Sequence, residues 1–184
     1  MRFWLLFIII EGGLYMIYDY ADKEGYVSLW VGKCREYSII DNYLSTVYFD
    51  EIFDGDIEKA QQSDMWKKLF IPANQDRDCE EELKKRFNYE VFNQFEYDFG
   101  LSFDDDFREA CVLDCTTSDL KKLFDEFSYC DSFLEEIETL KGVHLPECNT
   151  AIALYNFKYE GSILEVEHED IHLYFLGYLQ YNDR

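Results

Sequence analysis

The segment at residues 168–172, HEDIH, has the spacing of the H-E-x-x-H zinc-protease motif. On a helix its two imidazoles would share one face and bind zinc, with Glu169 as the general base. The surrounding residues argue against a helix, because Glu165, Glu167 and Glu169 alternate as they do in a strand or loop. A motif this short also arises readily by chance. We therefore interpret the segment as an acidic turn, and a zinc-dependent hydrolase that uses it stays an alternative.

Other candidates for chemistry are weaker. A calcium loop with Gly55 as its invariant glycine fails at two ligand positions. The third position would be Ile52, which has no side-chain oxygen, and the twelfth would be Gln61 in place of a bidentate glutamate. The sequence contains no glycine-rich phosphate loop and no nucleophile elbow. The six cysteines include no C-x-x-C pair, so we expect reduced thiols in a cytosolic protein. We predict no catalytic residue, no cofactor and no bound metal.

The charge of the chain is strongly negative. Its 184 residues include 39 Asp and Glu against 17 Lys and Arg, which gives a net charge of −22 and a pI near 4.3. Such a surface repels phosphate backbones and anionic lipids, which argues against nucleic acids and membranes as partners. The same field attracts a basic partner.

Half of this charge is concentrated in residues 96–138, where fourteen carboxylates face three basic residues. The carboxylates alternate with Phe99, Phe103, Phe107 and Tyr129. Aromatic anchors inside a charged rim are typical of protein–protein interfaces. The segment therefore indicates either a functional acidic face or an ordinary solvated surface.

The elements that must position these residues are short. β-branched and aromatic composition predicts four strands, at residues 26–32, 109–115, 150–159 and 172–181. Helical spacing and capping residues predict four helices, at residues 36–46, 88–99, 119–127 and 132–141. We expect Ser118 and Asp131 to be N-caps, and Gly100 and Gly142 to be C-caps. The fold class is α+β, a single domain with an antiparallel or mixed sheet and helices packed mainly on one face.

The beginning of the chain is unusual. The apolar run at residues 3–10 is shorter than the roughly 20 residues that cross a membrane. We expect residues 1–15 to be a mis-assigned start or non-native extension, with translation beginning at Met16; an edge strand and a weak membrane anchor are the alternatives. Residues 16–184 then form one domain, with an insertion at about 49–88 that holds one or two surface helices.

Four segments carry a resemblance to a known family: VSLWVGKC, YDFGLSFDDDFREA, LKKLFDEFSYCDSFLEEI and LYNFKYEG, in that order. The chain resembles, over residues 27–181, the bacterial immunity proteins of polymorphic toxin systems that are numbered 22. The insertion is longer than this family leads one to expect. The resemblance implies a cytoplasmic protein that binds and neutralises a toxin encoded beside it, and it implies no catalytic residues.

The resemblance and the charge favour the same function, which is inhibition of a toxin, with a basic nuclease as the class that the charge suits. We predict that acidic side chains steer the encounter and that an aromatic side chain supplies buried contact. The predicted toxin-contact residues are Asp104, Asp105, Asp106, Tyr129, Glu135 and Glu136. An acidic regulatory or scaffold protein without a toxin partner is a further alternative.

Overall fold

A five-stranded antiparallel sheet organises the computed structural model. The structure describes residues 7–10, 13–16, 18–19, 23–63, 66, 88, 91–140 and 145–182. The strands are β1 (Phe7–Ile10), β2 (Gly13–Met16), β3 (Tyr18–Asp19), β4 (Tyr26–Cys34), β5 (Thr46–Tyr48), β6 (Val91–Asn93), β7 (Leu101–Ser102), β8 (Arg108–Thr117), β9 (Cys148–Tyr155), β10 (Glu165–His168) and β11 (Ile171–Gln180). The large sheet has the order β10-β11-β4-β9-β8, and each neighbouring pair is antiparallel.

The helical segments are short. The α-helices are α1 (Tyr37–Leu44), α2 (Phe49–Ile52), α3 (Ile57–Gln62), α4 (Gln94–Phe99) and α5 (Leu120–Phe124). The 3₁₀ helices are η1 (Asp105–Phe107), η2 (Cys130–Ser132) and η3 (Ile137–Leu140). None of the helices in the described ranges is long and apolar enough to cross a membrane.

Strand β4 lies in the middle of the sheet and is buried on both faces. On one face Trp30 packs with α1 and α4, and its ring lies 5.2 Å from Phe95 and 5.8 Å from Phe99. On the other face Leu29 packs with α5 and η3, through Phe124 and Ile137 among others. Most residues of β4 are apolar because successive side chains point to opposite faces and both faces are buried.

The α+β class and the antiparallel sheet are confirmed. The helical segments lie on both faces of the sheet rather than mainly on one. Residues 88–99 contain β6 and α4 instead of one helix, although Gly100 does end α4 in the left-handed conformation, at φ 64°. Strand β10 was not among the predicted strands, because the alternation of Glu165 and Glu167 fits a loop as well as a strand.

The predicted helix at 132–141 is wrong: the chain makes η2, a turn and η3 there. Bonds between residues three apart recur there, as from Thr139 N–H to the carbonyl of Glu136 at 2.9 Å, beside one bond between residues four apart, from Leu134 N–H to the carbonyl of Cys130 at 2.8 Å. The Thr139 hydroxyl also donates to the Glu136 carbonyl, at 2.6 Å. A side-chain donor of this kind competes with the i→i−4 bonds that an α-helix needs. Asp131 lies inside η2, and Gly142 lies outside the described residues.

The N-cap of α5 is Asp119 and not Ser118, because the Asp119 carboxylate accepts the N–H groups of Lys121 and Lys122 at 3.1 and 3.4 Å. We expect Asp119→Ala to lower the free energy of unfolding by about 1 kcal/mol, the usual cost of losing a cap. Asp119→Asn is the matched control, because asparagine caps helices about as well as aspartate, and it should change this free energy by less than about 0.3 kcal/mol. Urea unfolding measures both, and equal losses in the two variants would contradict the assignment.

Several domain predictions stay predictions. The start at Met16 is one of them; Met16 is the last residue of β2, which pairs antiparallel with β1. In the predicted insertion α2 and α3 pack around Phe49 with Trp66 and Phe92, and most of residues 64–90 lie outside the described residues. Five cysteines are free thiols, and Cys79 lies outside the described residues.

Candidate protein-binding groove at the sheet edge

The HEDIH segment forms the turn of the β10–β11 hairpin. His168 is opposite Ile171 and Glu167 is opposite His172 in this pairing. Side chains of opposed residues share a face, so His168 and His172 point to opposite faces of the hairpin. Glu169 has a positive φ of 47°, which the tight turn requires. The interpretation as an acidic turn is confirmed, and the helix that a zinc site needs is replaced by a strand pair.

The two imidazoles have separate surroundings. His172 Nε2 lies 2.7 Å from Glu165 Oε1. His168 Nδ1 lies 3.7 Å from Asp98 Oδ2, and its ring packs 5.6 Å from that of Tyr43. The Tyr43 hydroxyl donates to Asp98 at 2.8 Å, and burial together with this carboxylate raises the pKa of Tyr43. In the described ranges no three His, Cys, Asp or Glu side chains are grouped so that they could hold a metal ion.

A groove of about 440 Å³ runs along the outer edge of β8, and we call it the edge groove. Strand β8 is the last strand of the sheet on this side. The walls come from α1 on one face and from the loop after α5 on the other. The lining residues are Tyr37, Asp41, Asp105, Arg108, Glu109, Ala110, Cys111, Glu126 and Phe127.

The edge groove is acidic, with four carboxylates and one cation. Arg108, whose side chain is 17% exposed, directs Nε to Asp105 at 2.7 Å and Nη2 to Asp41 at 3.5 Å. Its charge is therefore already engaged within the protein. Glu109 and Glu126 add further negative charge on the opposite wall. The groove thus suits a cationic group from outside.

The turn before β8 exposes more carboxylates beside the edge groove. Asp104 is the N-cap of η1, and its Oδ1 accepts the Asp106 N–H at 3.0 Å. This local bond explains why three successive acidic residues begin a helical turn, since Asp is among the best capping residues. All three carboxylates are exposed, as is 44% of Phe107 next to them.

A cluster of three tyrosines adjoins the groove, and we call Tyr129, Tyr155 and Tyr181 the tyrosine cluster. Their ring centroids lie 5.3 to 5.7 Å apart. Glu109 connects the cluster to the groove, because its Oε2 accepts the Ser128 N–H at 2.8 Å and lies 3.3 Å from the Tyr155 hydroxyl. Burial, and then the Glu109 carboxylate, raise the pKa of Tyr155.

Tyr129 is the exposed member of the cluster, with 48% of its surface accessible. Its φ of 57° is in the left-handed region, which is uncommon for a large side chain and costs backbone energy. The neighbouring rings of Tyr155 and Tyr181 hold its own ring in place. The arrangement presents a rigid aromatic surface at one end of an acidic groove.

The structure brings together four of the six predicted contact residues and separates two. Asp105 lines the edge groove between Asp104 and Asp106, and Tyr129 lies at its Glu109 end. Glu135 and Glu136 are exposed in the turn before η3, which packs on α5 and β11 across one face of the sheet. Sequence reasoning did not find Tyr37, Asp41, Glu109 and Glu126 as groove residues. An acidic residue following an aromatic residue by a helical turn in 36–46 was the available signal for the first two.

Cys111, which lines the edge groove, is expected to be an unreactive thiol. Its sulfur donates to the Leu123 carbonyl at 3.3 Å, and burial raises its pKa to about 11. A raised pKa leaves only about 0.1% thiolate at pH 8, and the thiolate is the nucleophile.

We expect iodoacetamide at pH 8 to modify exposed Cys115 at least about tenfold faster than Cys111. The Cys111 rate should rise about tenfold per pH unit up to pH 10. Peptide mapping by mass spectrometry measures both rates, and equal rates at pH 8 would refute the assignment.

Comparison with known proteins identifies a family. A family model described as immunity protein 22 matches residues 27–182, which include the large sheet, the edge groove and the tyrosine cluster. This confirms the resemblance found in the four sequence segments. No curated protein and no solved structure matches the chain.

Proposed function

Because the chain belongs to the immunity protein 22 family, we propose that it neutralises a cognate bacterial toxin by stoichiometric binding, without catalysing a reaction. In this proposal the toxin is encoded beside it in a polymorphic toxin system, and the two meet in the cytoplasm of the producing cell. The edge groove is the observation that supports the proposal best, because carboxylates and exposed aromatic rings adjoin there.

The carboxylates of the groove steer the encounter. The chain has a net charge of −22, and four carboxylates line one groove with Asp104 and Asp106 next to it. Complementary charge raises association rates to about 10⁸–10⁹ M⁻¹s⁻¹ at low salt. Glu135 and Glu136 extend this negative field on another surface and act at longer range.

The aromatic residues supply the lasting contact. Exposed charges contribute little to affinity, whereas a few desolvated aromatic side chains dominate most interfaces. Tyr129 and Phe107 flank the edge groove, and 52% of Tyr37 is exposed on its α1 wall. Tyr129 is the strongest candidate for an anchor, because its ring is held by two others and loses little freedom on binding.

The toxin we propose is a basic nuclease. A nuclease binds phosphates through a cationic cleft, and an array of carboxylates competes for such a cleft. The bound inhibitor would then cover the cleft that substrate needs. The same acidic surface would also suit a basic toxin domain that is not a nuclease. The toxin's activity therefore has to be measured.

Co-expression tests the proposal directly. The gene next to this one is induced alone, with the wild-type chain, and with an unrelated acidic protein of similar size and charge as the control. We expect growth to be rescued by the wild-type chain and not by the control. The purified pair should form a one-to-one complex by light scattering, and cleavage of RNA or DNA should cease at one molar equivalent.

Two results would reject the proposal. Equal killing with and without this chain would favour an acidic regulatory or scaffold protein. Rescue at far below one equivalent would indicate turnover of the toxin, and an enzyme. Rescue and a one-to-one complex without any nuclease activity would remove the nuclease and leave the inhibitor.

A further inference from the structure

Among the residues that the structure describes, no strand pairs with the outer edge of β8. In an antiparallel sheet each residue directs its N–H and C=O to one neighbouring strand only, and successive residues alternate. The Gly25 carbonyl accepts the Tyr181 N–H beyond β11, so odd-numbered residues of β4 face β11 and even-numbered residues face β9. The Tyr26 carbonyl, which accepts the Phe157 N–H, agrees with this.

The same alternation continues through β9 to β8. Residues of β9 opposite the even-numbered residues of β4 face β4, so Ala151 and Ala153 face β8. Their partners Cys111 and Glu109 therefore bond inward. The intervening residues of β8 direct their backbone groups outward, and these are Arg108, Ala110 and Val112. The Asn149 side chain of β9 donates to the Leu113 carbonyl at 3.2 Å, so Leu113 also directs its carbonyl towards β9.

Two of the three residues whose backbone groups point outward, Arg108 and Ala110, line the edge groove, and Val112 follows them along β8. Residues 108–111 line the groove, with Tyr37 and Asp41 of α1 on one side and Phe127 on the other. A paired strand lies about 4.8 Å from its neighbour, and four residues of it extend about 13 Å. The groove thus follows the line that one more strand would take, and its walls flank that line on both faces of the sheet.

Charge determines which chain fits there. Asp41 and Asp105 on the α1 side and Glu126 on the other would each approach the side chains of an added strand. A strand with Lys or Arg at alternate positions gains these contacts, since opposite charges on neighbouring strands attract. A second copy of this chain is disfavoured, because its own acidic edge and its charge of −22 repel.

We propose that the toxin docks by strand addition, with an extended cationic segment pairing to the outward backbone groups of Arg108, Ala110 and Val112. This rests on the proposed function and adds a binding mode to it. Main-chain bonds give such an interface its affinity, and the flanking side chains give it specificity. The tyrosine cluster at the Glu109 end then contacts the toxin next to the added strand.

Residue-resolved amide hydrogen exchange tests the pairing. The complex of the full chain with a catalytically inactivated toxin domain, encoded by the neighbouring gene, is compared with the free chain by ¹⁵N NMR. We expect the Ala110 and Val112 amides to exchange at least about 100-fold more slowly in the complex. The Glu109 and Cys111 amides are bonded to β9 in both states and should change less than about threefold.

A pair of proline variants tests the same point through affinity. Ala110→Pro removes an outward donor and no ladder bond, and edge positions of this kind tolerate proline. Glu167→Pro is the matched control, because the same alternation turns its N–H outward on β10, at the opposite edge. We expect the first variant to weaken toxin binding at least about 30-fold and the second to change it less than about threefold.

Several outcomes would overturn strand addition. A complex that leaves the Ala110 and Val112 amides unprotected rejects strand addition but not the proposed function. The exchange experiment uses the wild-type chain, so it gives this answer even if Ala110→Pro fails to fold. If these amides are protected in the free chain and the protection rises with protein concentration, a second copy of the chain occupies the edge. If they are protected equally at every concentration, another part of the same chain covers the edge. Absence of any complex rejects the proposed function together with this inference.

Discussion

Reversing two groove charges, with Asp106→Lys and Glu126→Lys together, is expected to slow association with the toxin roughly 10- to 100-fold at low salt. Both carboxylates are exposed, and Glu126 lines the edge groove while Asp106 lies beside it. The reversal replaces attraction by repulsion where the partner must arrive. The rate constant should also lose most of its dependence on ionic strength, since screening then has less to weaken. Stopped-flow association between 20 and 500 mM salt measures both effects.

The control for this prediction has the same change in net charge. Glu58→Lys with Glu167→Lys reverses two exposed carboxylates that do not line the edge groove. We expect it to slow association less than about threefold, because distant exposed charges are largely screened. Equal slowing by both pairs would mean that the overall charge steers the toxin and that the groove has no special part in it.

Tyr129→Ala is expected to weaken toxin binding about 30-fold or more, which corresponds to roughly 2 kcal/mol and is typical of a central aromatic anchor. The loss should appear in the dissociation rate, because the ring contributes after the encounter. Surface plasmon resonance separates the two rates. The midpoint temperature of thermal unfolding of the free variant should fall only slightly. About half of the Tyr129 side chain is already exposed, and the Tyr155 and Tyr181 rings remain in contact with each other.

Tyr178→Ala is the matched control for Tyr129→Ala. Tyr178 is a partly exposed tyrosine of β11 that packs against another ring, Tyr26, with centroids 6.0 Å apart. It does not line the edge groove, so its truncation should leave toxin binding within about threefold. An unchanged dissociation rate for Tyr129→Ala would remove the tyrosine cluster from the interface and leave the carboxylates there.

The sequence predicted the strands of the large sheet better than their surroundings. The apolar run of β4 and the alternation in β11 reflect burial, which acts on each residue locally. Strand β10 was left out because none of its residues is buried, so its alternating glutamates fit a loop as well as a strand. The N-cap of α5 was misplaced by one residue because Ser118 and Asp119 are both good caps, and only the backbone geometry distinguishes them.

The candidate site was predicted in part for a similar reason. A linear count of carboxylates places Asp105 and Glu135 in one acidic stretch, although only Asp105 lines the edge groove. Asp41 joins the groove from α1 through its ion pair with Arg108, at 3.5 Å. Such a contact depends on which strand ends the sheet and on how α1 packs against it. These are properties of the whole fold and leave no pattern within one segment.

The left-handed backbone of Tyr129 has a consequence for attempts to improve this protein. Glycine adopts that conformation without steric strain, so wherever this relief exceeds the loss of the ring contacts, optimisation for thermal resistance alone would favour glycine at this position. Protection of the host, in contrast, would favour the ring. A thermostable library chosen without the toxin present would thus drift towards molecules that survive heating and no longer rescue the cell, and the two criteria have to be applied together.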